Sequence, residues 1–294
     1  MTIRPRRSVL YMPGSNARAM EKAKTLAVDG VILDLEDAVA PDAKASARGQ
    51  VVAAVKAGGF GHREVVIRVN GFDTPWMSDD IDAAVSARPD AILVPKLSST
   101  EQLEMLGQRL LDLHADLHIR LWAMIETPLA VFNVLSLAAA ARDSETRLAC
   151  FVMGTNDLAK ETRARLVPGR APMVPWLANC VAAAHAYNVD VLDGVYNDLA
   201  DTDGFVRECQ QGRDMGFDGK TLIHPNQIAP CNQMFSPSTE EVAQARKIIA
   251  AFELPENKGK GVVQLDGRMV EIMHADIARR TVAIADAIEM TQKP

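Results

Sequence analysis

Two carboxylates are marked by what surrounds them. Glu126 leaves the apolar run Trp122-Ala123-Met124-Ile125 just before Thr127-Pro128, and Asp157 follows Phe151-Val152-Met153 across a Gly154-Thr155-Asn156 turn. Carboxylates that converge in a partly dry pocket repel each other unless a cation or a shared proton intervenes. No His or Cys clusters beside them in sequence. An oxygen-preferring divalent ion, Mg2+ or Mn2+, is therefore favoured over Zn2+, with water and substrate completing its shell. Glu126 and Asp157 are the candidate metal ligands.

Other polar residues fall at equivalent points, directly after short apolar runs: Asp34, Glu36 and Asp37, then Arg68 and Asn70, Lys96, Asn156, Asp193 and His224. Any one alone is explained as a helix cap or as its satisfied partner. Arg68 suits a bidentate grip on a carboxylate and Lys96 a point-charge contact, so both point to an anionic ligand. The acidic run Asp34-Leu35-Glu36-Asp37 reads as orienting metal-bound waters and pairing with Lys44 or Arg48, a second metal site being the alternative. Pro13-Gly14-Ser15-Asn16 turns into a helix start of the kind that takes phosphate, with Arg18, Lys22 and Lys24 following, but without a glycine-rich nucleotide signature. His224 before Pro225 is either a base or a hydrogen-bonding residue at a strand end. Ser15 and Ser98 have no base paired nearby in sequence, which weighs against a serine hydrolase.

These residues need a scaffold that brings them to one face. Short apolar runs at residues 9–12, 31–33, 65–69, 91–94, 119–124, 148–153, 189–192 and 220–223 recur with helical spacing between them, as at 16–28, 42–56, 100–114 and 175–187. Runs that are continuous rather than alternating indicate parallel strands covered on both faces. Eight such β/α units predict an α/β fold, a TIM (β/α)8 barrel over residues 1–236, whose chemistry gathers where strands end and βα loops begin. Residues 237–294 read as a helical extension: a capped helix at 238–254, a break at 257–261, and a long helix from about 269 to 289. Val270, Met273, Ile277, Ile284 and Ile288 lie at helical spacing on the last of these. The extension is expected to be a lid or an arm onto a neighbouring subunit, a brace being the plainer alternative.

Composition narrows the class. The 294 residues are 48% hydrophobic, 24% charged and 5% aromatic with net charge -6, which fits a globular protein and argues against nucleic acid as a partner. Arg4, Arg6 and Arg7 precede an apolar run that Pro13 and Gly14 cut short of a signal-peptide core. No stretch reaches the roughly 18 apolar residues that span a bilayer. Cys150, Cys180, Cys209 and Cys231 form no close pair, so reduced thiols and a cytoplasmic location are expected.

As a set, the segments RSVLYMPGSNARAMEKA, VILDLEDAVAPDAKASAR, IRVNG, VPK, MIETP, GTNDLAKE, DGVYNDLADTDGF, GFDGKTLIHPNQI and GKGVVQLDGRMVE resemble the citrate lyase β-subunit-like proteins of the HpcH/HpaI aldolase superfamily. The resemblance covers nearly the whole chain. It implies a Mg2+-dependent barrel, a homotrimer or dimer of trimers, that makes or breaks a carbon–carbon bond in a hydroxyacyl-coenzyme A such as malyl-, methylmalyl- or citramalyl-coenzyme A, with an α-oxo acid as the other partner. The metal ligands of the family fall on Glu126 and Asp157, and the arginine that grips the acyl oxygens on Arg68. The coenzyme A contacts fall on Tyr11, Arg18 and Lys22, with Pro95, Lys96 and His224 also assigned to substrate and Asp37 to catalysis. In malyl- and citramalyl-coenzyme A lyases a C-terminal Asp acts as acid/base in the neighbouring subunit's site. Here that position is Glu271, whose extra methylene shifts the carboxyl by about an ångström. A malyl-coenzyme A thioesterase using the same site and a carrier-dependent citrate lyase β-type subunit are the two alternative readings.

Overall fold

The computed structural model describes residues 3–292. Its eight parallel strands are β1 (Ser8–Pro13), β2 (Gly30–Asp34), β3 (Glu64–Arg68), β4 (Ala91–Val94), β5 (Arg120–Ile125), β6 (Leu148–Met153), β7 (Asp190–Asp193) and β8 (Gly219–Leu222). They pair in chain order and close through β1 and β8, where Ser8 faces Lys220 and Leu10 faces Leu222. The predicted (β/α)8 barrel is therefore the fold observed.

Strand alternation decides what lies inside. Val9, Ile32, Val66, Leu93, Trp122, Cys150, Val152 and Leu192 fill the barrel axis as one apolar cluster. At the end where the strands begin, Arg6 donates to both oxygens of Glu64, at 2.7 and 2.8 Å, pairs with Asp190, and lies over the Trp122 ring at 5.2 Å. That end is plugged by charge and indole. One step of alternation toward the other end brings Tyr11, Asp34, Arg68 and Met124 to the mouth.

The helices between the strands are α1 (Ala17–Ala23), α2 (Lys44–Ala57), α3 (Met77–Ala87), α4 (Thr100–Asp112), α5 (Pro128–Ala139), α6 (Thr155–Thr162), α7 (Val174–Ala186) and α8 (Thr202–Met215), α6 and α7 both falling between β6 and β7. Their starts are written in the sequence. Asn16 accepts the Ala19 amide at the start of α1, Ser99 and Gln102 form a capping box on α4, and Thr127 caps α5 with Pro128 in its first turn.

The described chain divides into two compact units, Arg6–Asn232 and the remainder, which comprises the residues before Arg6 and those from Gln233 onward. A helix at Ile228–Phe235, α9, leads out of the first. In the second, α10 (Thr239–Glu253) starts from a Ser238–Glu241 capping box, as the sequence indicates. The long helix does not start at 269. Residues 269–271 belong instead to a hairpin of β9 (Val262–Leu265) and β10 (Arg268–Glu271), and α11 runs Ile272–Gln292. The reason is the Asp266-Gly267 pair, both at positive φ, 51° and 77°, which is the turn chemistry of a two-residue hairpin. The expected stripe also splits: Val270 and Ile288 are buried, whereas Met273 and Ile277 are more than half exposed and Ala275 and Ala278 take the covered face. No helix among the described residues is long and apolar enough to cross a membrane.

Candidate active site

A cavity of about 320 Å3 opens where the strands end, lined in part by Tyr11, Asp34, Asp37, Arg68, Met124, Glu126, Asn156, Asp157, Asn197 and Thr221. Its charged floor comes from β2 and β3. Arg68 Nε and Nη2 donate to the two oxygens of Asp34 at 2.7 Å each, Nη1 meets Glu36 at 2.9 Å, and Asp37 lies 3.6 Å from Nη1. The guanidinium also sits 4.9 Å from the centre of the Tyr11 ring and donates to Met124 Sδ at 3.7 Å. Burial alone would lift Asp34, but the Arg68 charge and its hydrogen bonds outweigh that and hold the carboxyl below its usual range. Burial pushes the Tyr11 hydroxyl up, so it stays a donor.

Glu126 directly follows β5 and is 1% exposed. Its Oε1 accepts the Lys96 amide at 2.7 Å, whereas its Oε2 is buried with no hydrogen-bond partner. Burial first, then the charges of Glu36 and Asp157, push its pKa up to about 8. Asp157 stands in the first turn of α6, half-buried, and none of the hydrogen bonds or ion pairs found among the described residues engages its carboxylate. An orphaned buried carboxylate oxygen beside a second, unengaged carboxylate is a donor set that fits a hard divalent cation, which needs only one or two protein carboxylates when water and substrate supply the rest. No group of three or more His, Cys, Asp or Glu that could hold a metal occurs among the described residues.

The other residues singled out in the sequence are distributed as follows. Lys96, at the end of β4, follows buried Pro95, and its ammonium faces Glu36 Oε1 at 3.2 Å rather than an open ligand space. Lys44 donates to the carbonyls of Leu35 and Glu36, not to the acidic side chains, and Arg48 pairs with Asp79 and Asp80. The expected pairing of the acidic run with Lys44 or Arg48 is thus replaced by Arg68, which strand alternation aims inward, and by Lys96, whose backbone beyond β4 is left-handed. Asn70 is spent on Asp80 and the Leu35 carbonyl. Asp193 is fully buried and turned away from the cavity, bound to Arg170 at 2.6 Å and Lys220 at 2.9 Å, with Glu208 2.7 Å from Lys220. His224 Nδ1 accepts the Asn226 amide at 3.2 Å and so caps the turn at Pro225–Gln227. Arg18 and Lys22 are exposed on α1 and do not line the cavity. Glu271 ends β10 in the second unit, exposed, its amide donating to His274 Nδ1 at 3.0 Å.

Several lining residues carried no sequence signal strong enough to name them. Thr221 is recoverable from alternation along β8, since it lies one residue from outward-facing Lys220, and its hydroxyl donates to the Asp193 carbonyl at 3.1 Å. Asn197 lies in the loop between β7 and α8 and exchanges amide hydrogen bonds with Asn156 at 2.7 and 3.2 Å. No periodicity marks such a loop.

Comparison with known proteins gives this arrangement a lineage. The chain is 48% identical over 284 residues to a (3S)-malyl-CoA thioesterase of Cereibacter sphaeroides (strain KD131), covering 97% of this chain and 96% of that one. It is 30% identical over 295 residues to the mitochondrial citramalyl-CoA lyase of Homo sapiens, covering 97% and 87%. The CitE protein of Mycobacterium tuberculosis in complex with magnesium, acetoacetate and coenzyme A superposes with a TM-score of 0.73 at 27% identity, covering 95% of this chain and 97% of that one. The model of the HpcH/HpaI aldolase/citrate lyase family matches residues 7–225, a span that holds every strand of the barrel together with Arg68, Glu126 and Asp157. By its sequence and its barrel alike, the chain belongs to the HpcH/HpaI aldolase/citrate lyase family.

Proposed function

We propose that this protein is a hydrolase of a malyl-type coenzyme A thioester, releasing the free hydroxy diacid and coenzyme A. The observation that carries this reading is the 48% identity to a malyl-CoA thioesterase along nearly the full length of both chains. It moves the thioesterase, second in the sequence reading, ahead of the lyase.

Glu126 and Asp157 would hold Mg2+ or Mn2+, which when bound polarises a substrate oxygen as a Lewis acid. Arg68, fixed by Asp34, keeps its Nη1 edge beside the cavity, where it favours negative charge developing on the acyl oxygen. Asp37, whose side chain is 66% exposed at the cavity wall, is suited to take a proton from a water. That water's oxygen attacks the thioester carbon, the carbon–sulfur bond breaks, and the proton passes to the departing thiolate. Tyr11 donates from the wall, and exposed Arg18 and Lys22 are assigned to the phosphates of coenzyme A.

The second reading is the lyase, favoured by the 30% identity to a citramalyl-CoA lyase. In it Arg68 stabilises the enolate of the departing acyl-coenzyme A, and Glu271 of a partner chain in a trimer moves the proton at its α-carbon. Purified protein incubated with malyl-, citramalyl- and methylmalyl-coenzyme A, with Mg2+ or with EDTA, separates the two. Free thiol without α-oxo acid supports hydrolysis, and glyoxylate or pyruvate without free thiol supports the lyase. Turnover of none of the three with Mg2+ overturns both.

A further inference from the structure

We propose that two backbone features, the left-handed amide of Lys96 and the missing side chain of Gly154, fix Glu126 as a carboxylate with one oxygen anchored and one free, which makes Lys96 and Gly154 positioning residues. The proposal rests on the reading of Glu126 as a metal ligand and adds what decides which oxygen serves.

Lys96 has φ 53°, a conformation that side-chain-bearing residues rarely adopt. Held so, its N–H reaches Glu126 Oε1 at 2.7 Å while its Nζ turns to Glu36 at 3.2 Å. One residue thus serves two carboxylates, and the amide is the part that touches Glu126. Gly154 needs no conformational freedom: its φ of -96° and ψ of 72° do not lie in the left-handed region. What it supplies is space. A Cβ there would lie 2.4 Å from Glu126 Cβ and 2.5 Å from Oε2, distances at which something must shift. Little slack is available, because the Gly154 amide donates to the Ile125 carbonyl at 3.1 Å and its carbonyl accepts from Leu158 at 3.0 Å, tying it to β5 and to α6. The oxygen pressed against this bare backbone is the one without a hydrogen-bond partner, on the strand next to the helix turn that carries Asp157.

Mn2+ titration of the substrate-free, full-length protein, followed by electron paramagnetic resonance, reads the positioning without activity. E126A should lose Mn2+ binding, and G154A, folded by circular dichroism, should raise the dissociation constant about tenfold or more, as loss of a ligand-orienting contact does. K96G keeps the amide and accepts the positive φ, so its dissociation constant should stay within about threefold of wild type. Hydrogen–deuterium exchange supplies the metal-free arm: the Lys96 amide should be protected in wild type and exchange faster in E126A. Wild-type affinity in G154A overturns the role of Gly154. A loss in K96G as large as in E126A, or a Lys96 amide that exchanges equally fast in wild type and E126A, overturns the amide anchor. If E126A binds Mn2+ as wild type does, the metal reading fails and the exchange measurement alone decides the anchor. If G154A does not fold, K96G and the exchange experiment carry the decision.

Discussion

Arg68 gives Nε and Nη2 to the two oxygens of Asp34, each at 2.7 Å, and both side chains are almost wholly buried. An arginine suited in sequence to a bidentate grip on substrate is thereby gripping its own neighbour on β2, with Nη1 left toward Glu36, Asp37 and the cavity. R68M should therefore cost stability as well as catalysis. Removing one partner strands a buried charge, at about 3–5 kcal/mol, whereas R68M/D34N removes both and should recover much of that loss without recovering activity. Urea unfolding of the single and double variants checks it. Wild-type stability in R68M would mean that the pair does not hold the floor of the site.

Glu126 sets a pH dependence whose sign follows from burial and from the Glu36 and Asp157 charges. Its carboxyl is raised from 4.5 to about 8 in the folded chain. Between those values the native state keeps a proton that the unfolded chain has released, so stability falls as pH rises through that window. In EDTA, the midpoint of thermal unfolding should decline from about pH 5 to about pH 9 more steeply in wild type than in E126Q, which has no proton to lose at this site. Mg2+ should flatten the wild-type profile. Its binding near pH 7 should release a proton, seen by calorimetry in buffers of different ionisation enthalpy. Equal slopes for wild type and E126Q in EDTA would refute the assignment.

Asp157 offers the opposite case. No hydrogen bond or ion pair found among the described residues ties its carboxylate down. D157N should leave stability within about 1 kcal/mol of wild type, the scale of a carboxylate's interaction with a helix N-terminus. Mg2+ affinity and turnover should both fall at least tenfold, in line with loss of a charged ligand. A calorimetric titration with Mg2+ beside a urea melt makes the comparison. If D157N destabilises the fold and binds Mg2+ normally, its role is structural.

The barrel was legible because each strand is a short run of apolar residues covered on both faces, a pattern that leaves few alternatives. The runs at 91–94 and 148–153 coincide with β4 and β6. That Arg68, Glu126 and Asp157 line one cavity follows from the same pattern, since strand ends of a barrel converge. Contacts that depend on partners remote in sequence were not. Asp193 ends β7 as Asp34 ends β2, but Arg170 and Lys220, 23 and 27 residues away, draw it into the helix layer. The Lys96 anchor has no signature in the sequence because it is an amide, which every residue except proline carries. The hairpin at 262–271 is ambiguous for another reason: Val270 fits a helical stripe as well as a strand, and the Asp266-Gly267 turn resolves it.

The paired amides of Asn156 and Asn197 close over a wall of the cavity while both side chains remain exposed. An exposed amide pair adds little to stability, since water replaces each bond at small net cost. Its loop is nevertheless held in place. Tyr196 donates to Asp201 at 2.8 Å, Gln227 donates to the Tyr196 carbonyl at 3.0 Å, and Asp201 accepts the Gly204 amide at 2.8 Å to cap α8. A rigid loop that presents an amide with one N–H still free is suited to contact a polar substrate group. N197A should therefore raise KM about tenfold, the scale of one lost hydrogen bond left uncompensated, with kcat and the melting midpoint nearly unchanged. N197D places a further negative charge near Asp157 and should weaken an anionic substrate more than N197A does. Steady-state kinetics on the best thioester of the screen measures both. If the two variants keep the wild-type KM, or if N197A melts well below wild type, the pair braces the loop and does not read the substrate.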